Sequence, residues 1–334
     1  MEGDSIMRYN PLGRTGPRVS QLGFGCGSIG GILVRGEYPA MRQVVSRAVE
    51  LGVNYFDTAP HYGSGQSEVN LGAVLRELKA DVIIGTKVRL TGEDMGQIGA
   101  AIARSAEGSL RRLGREAVDL IQLHNHLGLQ RQLDKNRVSM EDLDGVIRAF
   151  ESLQQQGKVR AWGITGRGAS EALQEAVGKG GFHTIQLPYN LLNQSAGAPP
   201  PAGFPFQDYG RLIDRSAKRE MGVIAIRILA GGALSGTTER HPVAAKWVNP
   251  IASETFYSAD VARARRYEFL VEEGRAENLV EAAVRFVISN PRVTTALLGI
   301  SSLDQLEQAV RYVERGPLSE ESAERTRAIW SRPD

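Results

Sequence analysis

The chain has 334 residues, 42% hydrophobic and 23% charged, and a chain of this length buries roughly 75% of its unfolded surface without disulfide or metal staples. Forty Lys and Arg against thirty-eight Asp and Glu leave a formal charge of +2, with the basic residues scattered along the chain, which argues against nucleic acid and anionic membrane as partners. The single cysteine, Cys26, excludes an internal disulfide. Residues 1–10 carry no signal-peptide pattern and no apolar run approaches the ~20 residues that span a bilayer, so the expectation is a cytoplasmic protein.

In chain order, residues 9–19 place two apolar ends around a Gly/Pro-rich turn, the pattern of a small β-hairpin able to plug a barrel floor. Short β-rich runs then recur at 21–24, 53–56, 82–86, 120–123, 161–164, 184–187, 222–226 and 296–298. Stretches with helical spacing lie at 40–51, 67–78, 96–113, 143–155, 169–177, 208–219, 279–289 and 303–313. Eight strands alternating with eight helices, with no linker-like break, predict a closed (β/α)8 TIM barrel forming a single domain over 1–334, its core at about 20–315; an open doubly wound sheet is the rival. Two segments exceed ordinary loop lengths and are expected at the barrel mouth. Residues 193–206 carry three consecutive prolines, and 235–260 carry Trp247, Phe256 and Tyr257 beside His241, a composition that suggests a lid.

In such a barrel the site is built at the carboxyl ends of the strands. The second predicted strand ends at Asp57 with Tyr62 five residues on, the third runs into Lys87 and the fourth into His124. A buried Asp and Lys must pair or lose several kcal/mol to desolvation, on the order of the penalty known for isolated buried ions. A pairing of Asp57 with Lys87 leaves an ammonium beside Tyr62, where it favours the phenolate and makes the phenol a usable general acid or base; His124 is placed to orient a substrate oxygen.

These residues stand in the runs NYFDTAPHYG at 54–63, Ser67-Glu68, Leu71-Gly72, GTK at 85–87 and LIQLH at 120–124. Together they resemble the aldo-keto reductase superfamily over roughly residues 9–313. The resemblance implies an eight-stranded barrel with a nicotinamide dinucleotide across its mouth and hydride transfer between the nicotinamide and a carbonyl or alcohol carbon. It places the family's catalytic tetrad on Asp57, Tyr62, Lys87 and His124. It also implies cofactor contacts from Gly25, Cys26, Asp57, Thr165, Gly166, Gln186, Ile226, Arg227, Leu229, Gly232, Gly299, Ser301 and Gln305. Two positions depart from the family: Gly166 stands where a side chain is usual after the fifth strand, and Ile226 or Arg227 where many members carry an aromatic that stacks on the nicotinamide.

The adenosine end is expected at 299–305, before a helix N-terminus suited to an anion, although Ser302 and Gln305 also read as a capping box. Family habit favours NADP(H); the absence of Lys or Arg between Gly299 and Gln305 keeps NAD(H) close behind. The expected activity is NAD(P)-dependent oxidoreduction of an aldehyde or ketone, or of the corresponding alcohol or sugar. The alternative is a dinucleotide-binding redox sensor or regulatory subunit that keeps this fold and shows little turnover. A Rossmann fingerprint at 25–30 lacks the helix it requires, because a loop is expected from Gly31 to Pro39. His124 with His126 lacks further ligands for a metal site, and a Schiff-base role for Lys87 leaves Tyr62 and Gln186 unexplained.

Overall fold

A computed structural model describes residues 7–14, 16–132, 134 and 137–331. Hairpin strands β1 (Tyr9–Pro11) and β2 (Arg18–Ser20) pair antiparallel, with Asn10 opposite Val19. Eight further strands form a closed parallel barrel: β3 (Leu22–Gly25), β4 (Tyr55–Asp57), β5 (Ile83–Val88), β6 (Val118–Leu123), β9 (Val159–Thr165), β10 (Thr184–Pro188), β11 (Gly222–Ile226) and β12 (Thr295–Gly299). They run around the barrel in this order, and β12 closes on β3 through the register Leu297 to Gly23. The expected (β/α)8 topology is therefore present, and the open sheet is not. Strands covered on both faces read as continuous apolar runs, and β6 is buried at every position.

The helices between strands follow from their spacing. In α5 (Leu143–Gln155), Leu143, Val146, Phe150 and Leu153 form one buried stripe, and the helix ends where Gly157 takes a positive φ and Lys158 N–H returns to the Leu153 carbonyl. Asn278 caps α10 (Leu279–Ile288) by accepting from Glu281 N–H at 2.9 Å. The others are α2 (Tyr38–Glu50), α3 (Gln66–Leu78), α4 (Ile98–Leu113), α6 (Ser170–Lys179), α7 (Leu212–Lys218), α11 (Leu303–Glu314) and a terminal α12 (Glu320–Trp330).

The hairpin closes the amino-terminal end of the barrel. Leu12 and Val19 pack with Tyr55, Leu120, Ala161 and Ile224, the inward side chains of four strands. The turn comes close enough that a Cβ on Gly13, at φ 72°, would lie 2.5 Å from the His183 carbonyl oxygen, so only glycine serves there.

Several elements differ from expectation. A one-turn helix, α1 (Ile32–Arg35), occupies part of the span expected as a loop after Gly31. The long segment before α10 includes α8 (Tyr257–Ala264) and α9 (Phe269–Glu272), and a small parallel pair, β7 (His126–Gly128) with β8 (Arg137–Ser139), follows β6. Helix α7 starts four residues late, because the Asp208 side chain takes Gly210 N–H at 2.7 Å and Arg211 adopts φ 57°, turning the chain before the helix begins. The proline-rich segment at 193–206 packs against α12, with Phe204 and Trp330 rings 5.3 Å apart and Gln194 donating to the Thr326 carbonyl. Among the described residues no helix is long and apolar enough to cross a membrane.

Candidate active site

Three adjacent strands bring the tetrad together. Asp57 ends β4, Lys87 lies in β5 with its backbone opposite Gln122 of β6, and His124 follows β6, its N–H tied to the Val88 carbonyl at 2.7 Å. Lys87 is 1% exposed and Asp57 2%. The Lys87 Nζ donates to Asp57 Oδ1, to the Thr58 carbonyl at 2.9 Å and to Tyr62 Oη at 3.2 Å, which uses all three ammonium donors. Burial alone would pull this ammonium down, but Asp57 and Tyr62 together outweigh it and hold Lys87 above the ordinary lysine value.

The other Asp57 oxygen accepts from Gln186 Nε2 at 2.6 Å and from Tyr55 Oη at 3.1 Å, so the carboxylate is fixed at both ends. Burial, followed by the charge of Asp57, pushes the Tyr55 phenol well above its usual value, keeping it a donor. The loop carrying Tyr62 is anchored behind: Thr58 and Ser67 hydroxyls meet at 2.8 Å, and Ser67 donates to the Cys26 carbonyl at 2.8 Å. Buried Glu68 accepts from Thr86 and Arg112, each at 2.6 Å, tying α3 to β5 and α4.

His124 is 8% exposed, and its Nδ1 has no protein partner among the described residues. Burial and then the charge of Lys87, with smaller contributions from His61, Arg89 and Arg167, hold its imidazole well below the ordinary value, so it is neutral near pH 7. His61, whose ring centroid is 4.4 Å from that of His124, is lowered to about 3 by desolvation and then by Arg89, Lys87 and Arg167. The sequence reading did not single out His61, Arg89 or Arg167. His61 adjoins Tyr62 and Arg89 lies two residues past Lys87, so their nearness to members of the tetrad was a signal available in the sequence, whereas Arg167 is joined to the tetrad only by the barrel's curvature.

Above the tetrad lies a cavity of about 620 Å³. Of the residues expected in the site, Asp57, Tyr62 and His124 line it, as do Gly25, Thr165, Gln186, Ile226, Arg227, Leu229, Gly232, Gly299, Ser301 and Gln305. Three do not reach its wall. Lys87 lies beneath the floor, its Nζ on Asp57 and Tyr62. The Cys26 thiol turns to the Phe24 carbonyl, and burial raises its pKa. Gly166 is walled off, since a Cβ there would meet Leu187 Cδ2 at 2.4 Å.

At the far end Ser302 accepts from Gln305 N–H at 3.3 Å as expected, but the Gln305 side chain takes the N–H of Ser301 at 3.0 Å, one residue before the cap. The segment after β11 crosses the mouth as a strap. Arg35 donates to the Val243 carbonyl at 2.8 Å, and Ala245 N–H reaches the Ile29 carbonyl at 3.2 Å. Tyr257 and Arg240 line the cavity beneath it, held together by a 3.0 Å bond, whereas Trp247, 89% exposed, points to solvent. Of the two long segments expected at the mouth, the strap contributes to the pocket wall, whereas 193–206 contributes no residue to it.

A closed barrel with Asp, Tyr, Lys and His gathered at the carboxyl ends of its second, third and fourth strands, beneath a strapped cleft, fits a class of oxidoreductases, and the sequence comparison gives the family. The Aldo/keto reductase family profile matches residues 21–331, and the chain belongs to that family. It is 26% identical to L-galactose dehydrogenase of Arabidopsis thaliana, covering 90% of this chain and 86% of that one. It is 27% identical to L-glyceraldehyde 3-phosphate reductase of Escherichia coli O157:H7, covering 94% and 90%. Among solved structures it is similar to the holo form of an aldo-keto reductase from Bacillus halodurans, with a TM-score of 0.71, 26% identity and 98% of each chain covered. The protein is an oxidoreductase enzyme.

Proposed function

We propose that the chain is an NAD(P)-dependent reductase of aldehydes or ketones, or dehydrogenase of the corresponding alcohols or sugars, acting as one domain in the cytoplasm with Tyr62 as proton donor and acceptor. The observation that carries this reading is the buried Lys87–Asp57 pair within 3.2 Å of the Tyr62 hydroxyl at the floor of an open cavity. The cleft suits an extended dinucleotide. Three glycines, Gly25, Gly27 and Gly30, stand in one wall beside Ser28 and Ile29 and let a ligand approach the backbone, and its far end meets the α11 N-terminus at Ser301 and Gln305. Bound there, a nicotinamide dinucleotide supplies or accepts the hydride.

The protein supplies the rest. The neutral His124 donates a hydrogen bond to the carbonyl oxygen and orients it. The Tyr62 hydroxyl delivers its proton to that oxygen as negative charge develops, and Lys87, held by Asp57, stabilises the phenolate left behind. Gln186 locks Asp57 from the opposite side of the barrel and borders the cleft where the nicotinamide carboxamide would lie.

The test is oxidation of NADPH and NADH with a panel of aldehydes, ketones and sugars, and the reverse with alcohols. Replacing Tyr62→Phe is expected to lower kcat by about 10²–10⁴ with cofactor affinity kept. Dinucleotide binding with negligible turnover across the panel would favour the sensor reading, and near-normal turnover in the variant would remove Tyr62 from its role. NADP(H) is the preferred cofactor here. Because the far end presents Ser301, Gln305 and Gln308 without a cation, the preference is expected to stay within about tenfold, one decade or ~1.4 kcal/mol.

A further inference from the structure

The cavity holds more positive charge than the reaction described above uses. Of its lining residues only Asp57 and Glu239 are acidic; Asp57 is paired with Lys87, and Glu239 stands exposed at the outer rim. Arg167, two residues past β9, and Arg227, directly after β11, both line the cavity, and neither forms an ion pair among the described residues. The Arg227 guanidinium has only the neutral Asn249 carbonyl, at 3.2 Å; that of Arg167 has no hydrogen bond among the described residues. Arg89, after β5, stands behind them with a buried Nε that no group accepts from. Arg240 differs, since Gly231 and Ala245 carbonyls and the Tyr257 hydroxyl take its donors.

The guanidiniums also act on one another and on the reacting groups. Arg167 is within electrostatic reach of Arg89 and Tyr62, and Arg227 of Arg167 and Tyr62. Desolvation, followed by this mutual repulsion, lowers Arg227 to about 10. Half-buried cations within reach of one another and without a direct ion-pair partner are costly, Asp260 acting on Arg227 only from a distance, and an oxyanion bridging two guanidinium forks relieves both the repulsion and the unmet donors.

We infer that Arg167 and Arg227 form an anion subsite beside the tetrad, so that the substrate is a small carbonyl compound or alcohol bearing a carboxylate or phosphate a few bonds from its reacting carbon. The inference rests on the proposed oxidoreductase reading and names its substrate class. Arg89 raises the local potential from behind. The subsite opens next to His61, His124 and Tyr62, the reacting end of the cleft, and away from Ser301 and Gln305, where the adenosine end is proposed.

The test compares matched pairs: butyraldehyde with succinic semialdehyde for a carboxylate, and glycolaldehyde with its phosphate for a phosphoryl group. At least one charged member is expected to exceed its neutral partner tenfold or more in kcat/KM, chiefly through KM, and the two arms show which oxyanion is meant. Arg167→Gln and Arg227→Gln are each expected to reduce that charged-to-neutral ratio at least fivefold, with NADPH affinity measured in parallel. Equal use of charged and neutral partners by the unaltered enzyme overturns the subsite while leaving the oxidoreductase reading intact. A preserved ratio in both variants also overturns it, and accompanied by a tenfold loss of NADPH affinity it assigns the arginines to the cofactor. Failure of every panel member with either dinucleotide removes the oxidoreductase reading and the subsite with it.

Discussion

Removing the charge of Lys87 alone would strand Asp57, a carboxylate 2% exposed and otherwise held by Gln186 and Tyr55. Breaking one half of a buried pair costs about 3–5 kcal/mol, so Lys87→Met is expected to lower the urea midpoint and to abolish turnover together. Adding Asp57→Asn takes away the stranded charge. The double variant should therefore recover part of the stability and none of the activity; full recovery of turnover would show that the pair serves folding only. His124 gives a pH signature. Its folded imidazole stays neutral well below its ordinary 6.5 because of burial and Lys87. Below pH 6.5 the unfolded chain thus binds a proton that the folded chain does not, and stability falls as the pH drops, by at most about 1.4 kcal/mol per pH unit for such a group. Unfolding at pH 7 and pH 5 should show this loss, with a shallower slope in His124→Gln; parallel slopes would place its origin elsewhere. That Asp57, Tyr62, Lys87 and His124 meet was legible in sequence because three stand at strand ends and Tyr62 in the short run after one of them. The 2.6 Å bond from Gln186 to Asp57 joins residues 129 apart, and the arginines facing the cavity follow separate strands, so neither contact leaves a local signature.

Short apolar runs and amphipathic stretches placed all eight barrel strands and the helices between them to within a few residues, since burial on both faces of a strand and one face of a helix writes directly into periodicity. Periodicity has no purchase on α1 and α9, four residues each, or on β7 and β8, three each. The hairpin was legible as a turn between apolar ends, and its Leu12 is wholly buried against the barrel floor. Leu12→Ala is expected to cost about 2–5 kcal/mol in equilibrium unfolding with little change in KM, because the plug lies at the end of the barrel opposite the mouth. The strap was expected as an aromatic lid, but Trp247 faces solvent and the strap is held instead by Arg35 and by the N–H of Ala245. Arg35→Ala should speed cofactor release in stopped-flow fluorescence several-fold while moving the melting temperature little; unchanged release would mean that the strap does not gate the cleft.

For the molecule as a whole, a ligand that binds only the folded state adds about 2.7 kcal/mol of stability at a hundred times its Kd. Because the cleft draws its walls from loops after β3, β4, β6, β9, β11 and β12 and from Gln186 within β10, a dinucleotide laid along it would tie most of the barrel's mouth together. Thermal unfolding with NADPH or NADH at equal concentration should therefore rise by a few degrees. A transition indifferent to both would count against a dinucleotide in this cleft.

The one thiol of the chain offers a further use of that architecture. Cys26 is 1% exposed just past the first barrel strand, its sulfur directed inward and its ionisation suppressed by burial. A sulfhydryl reagent reaches it only when this part of the barrel comes apart. The rate of modification under native conditions, compared with that of the denatured chain, thus clocks the free energy of that opening. The chain carries an internal reporter of its own breathing, readable without any engineered label.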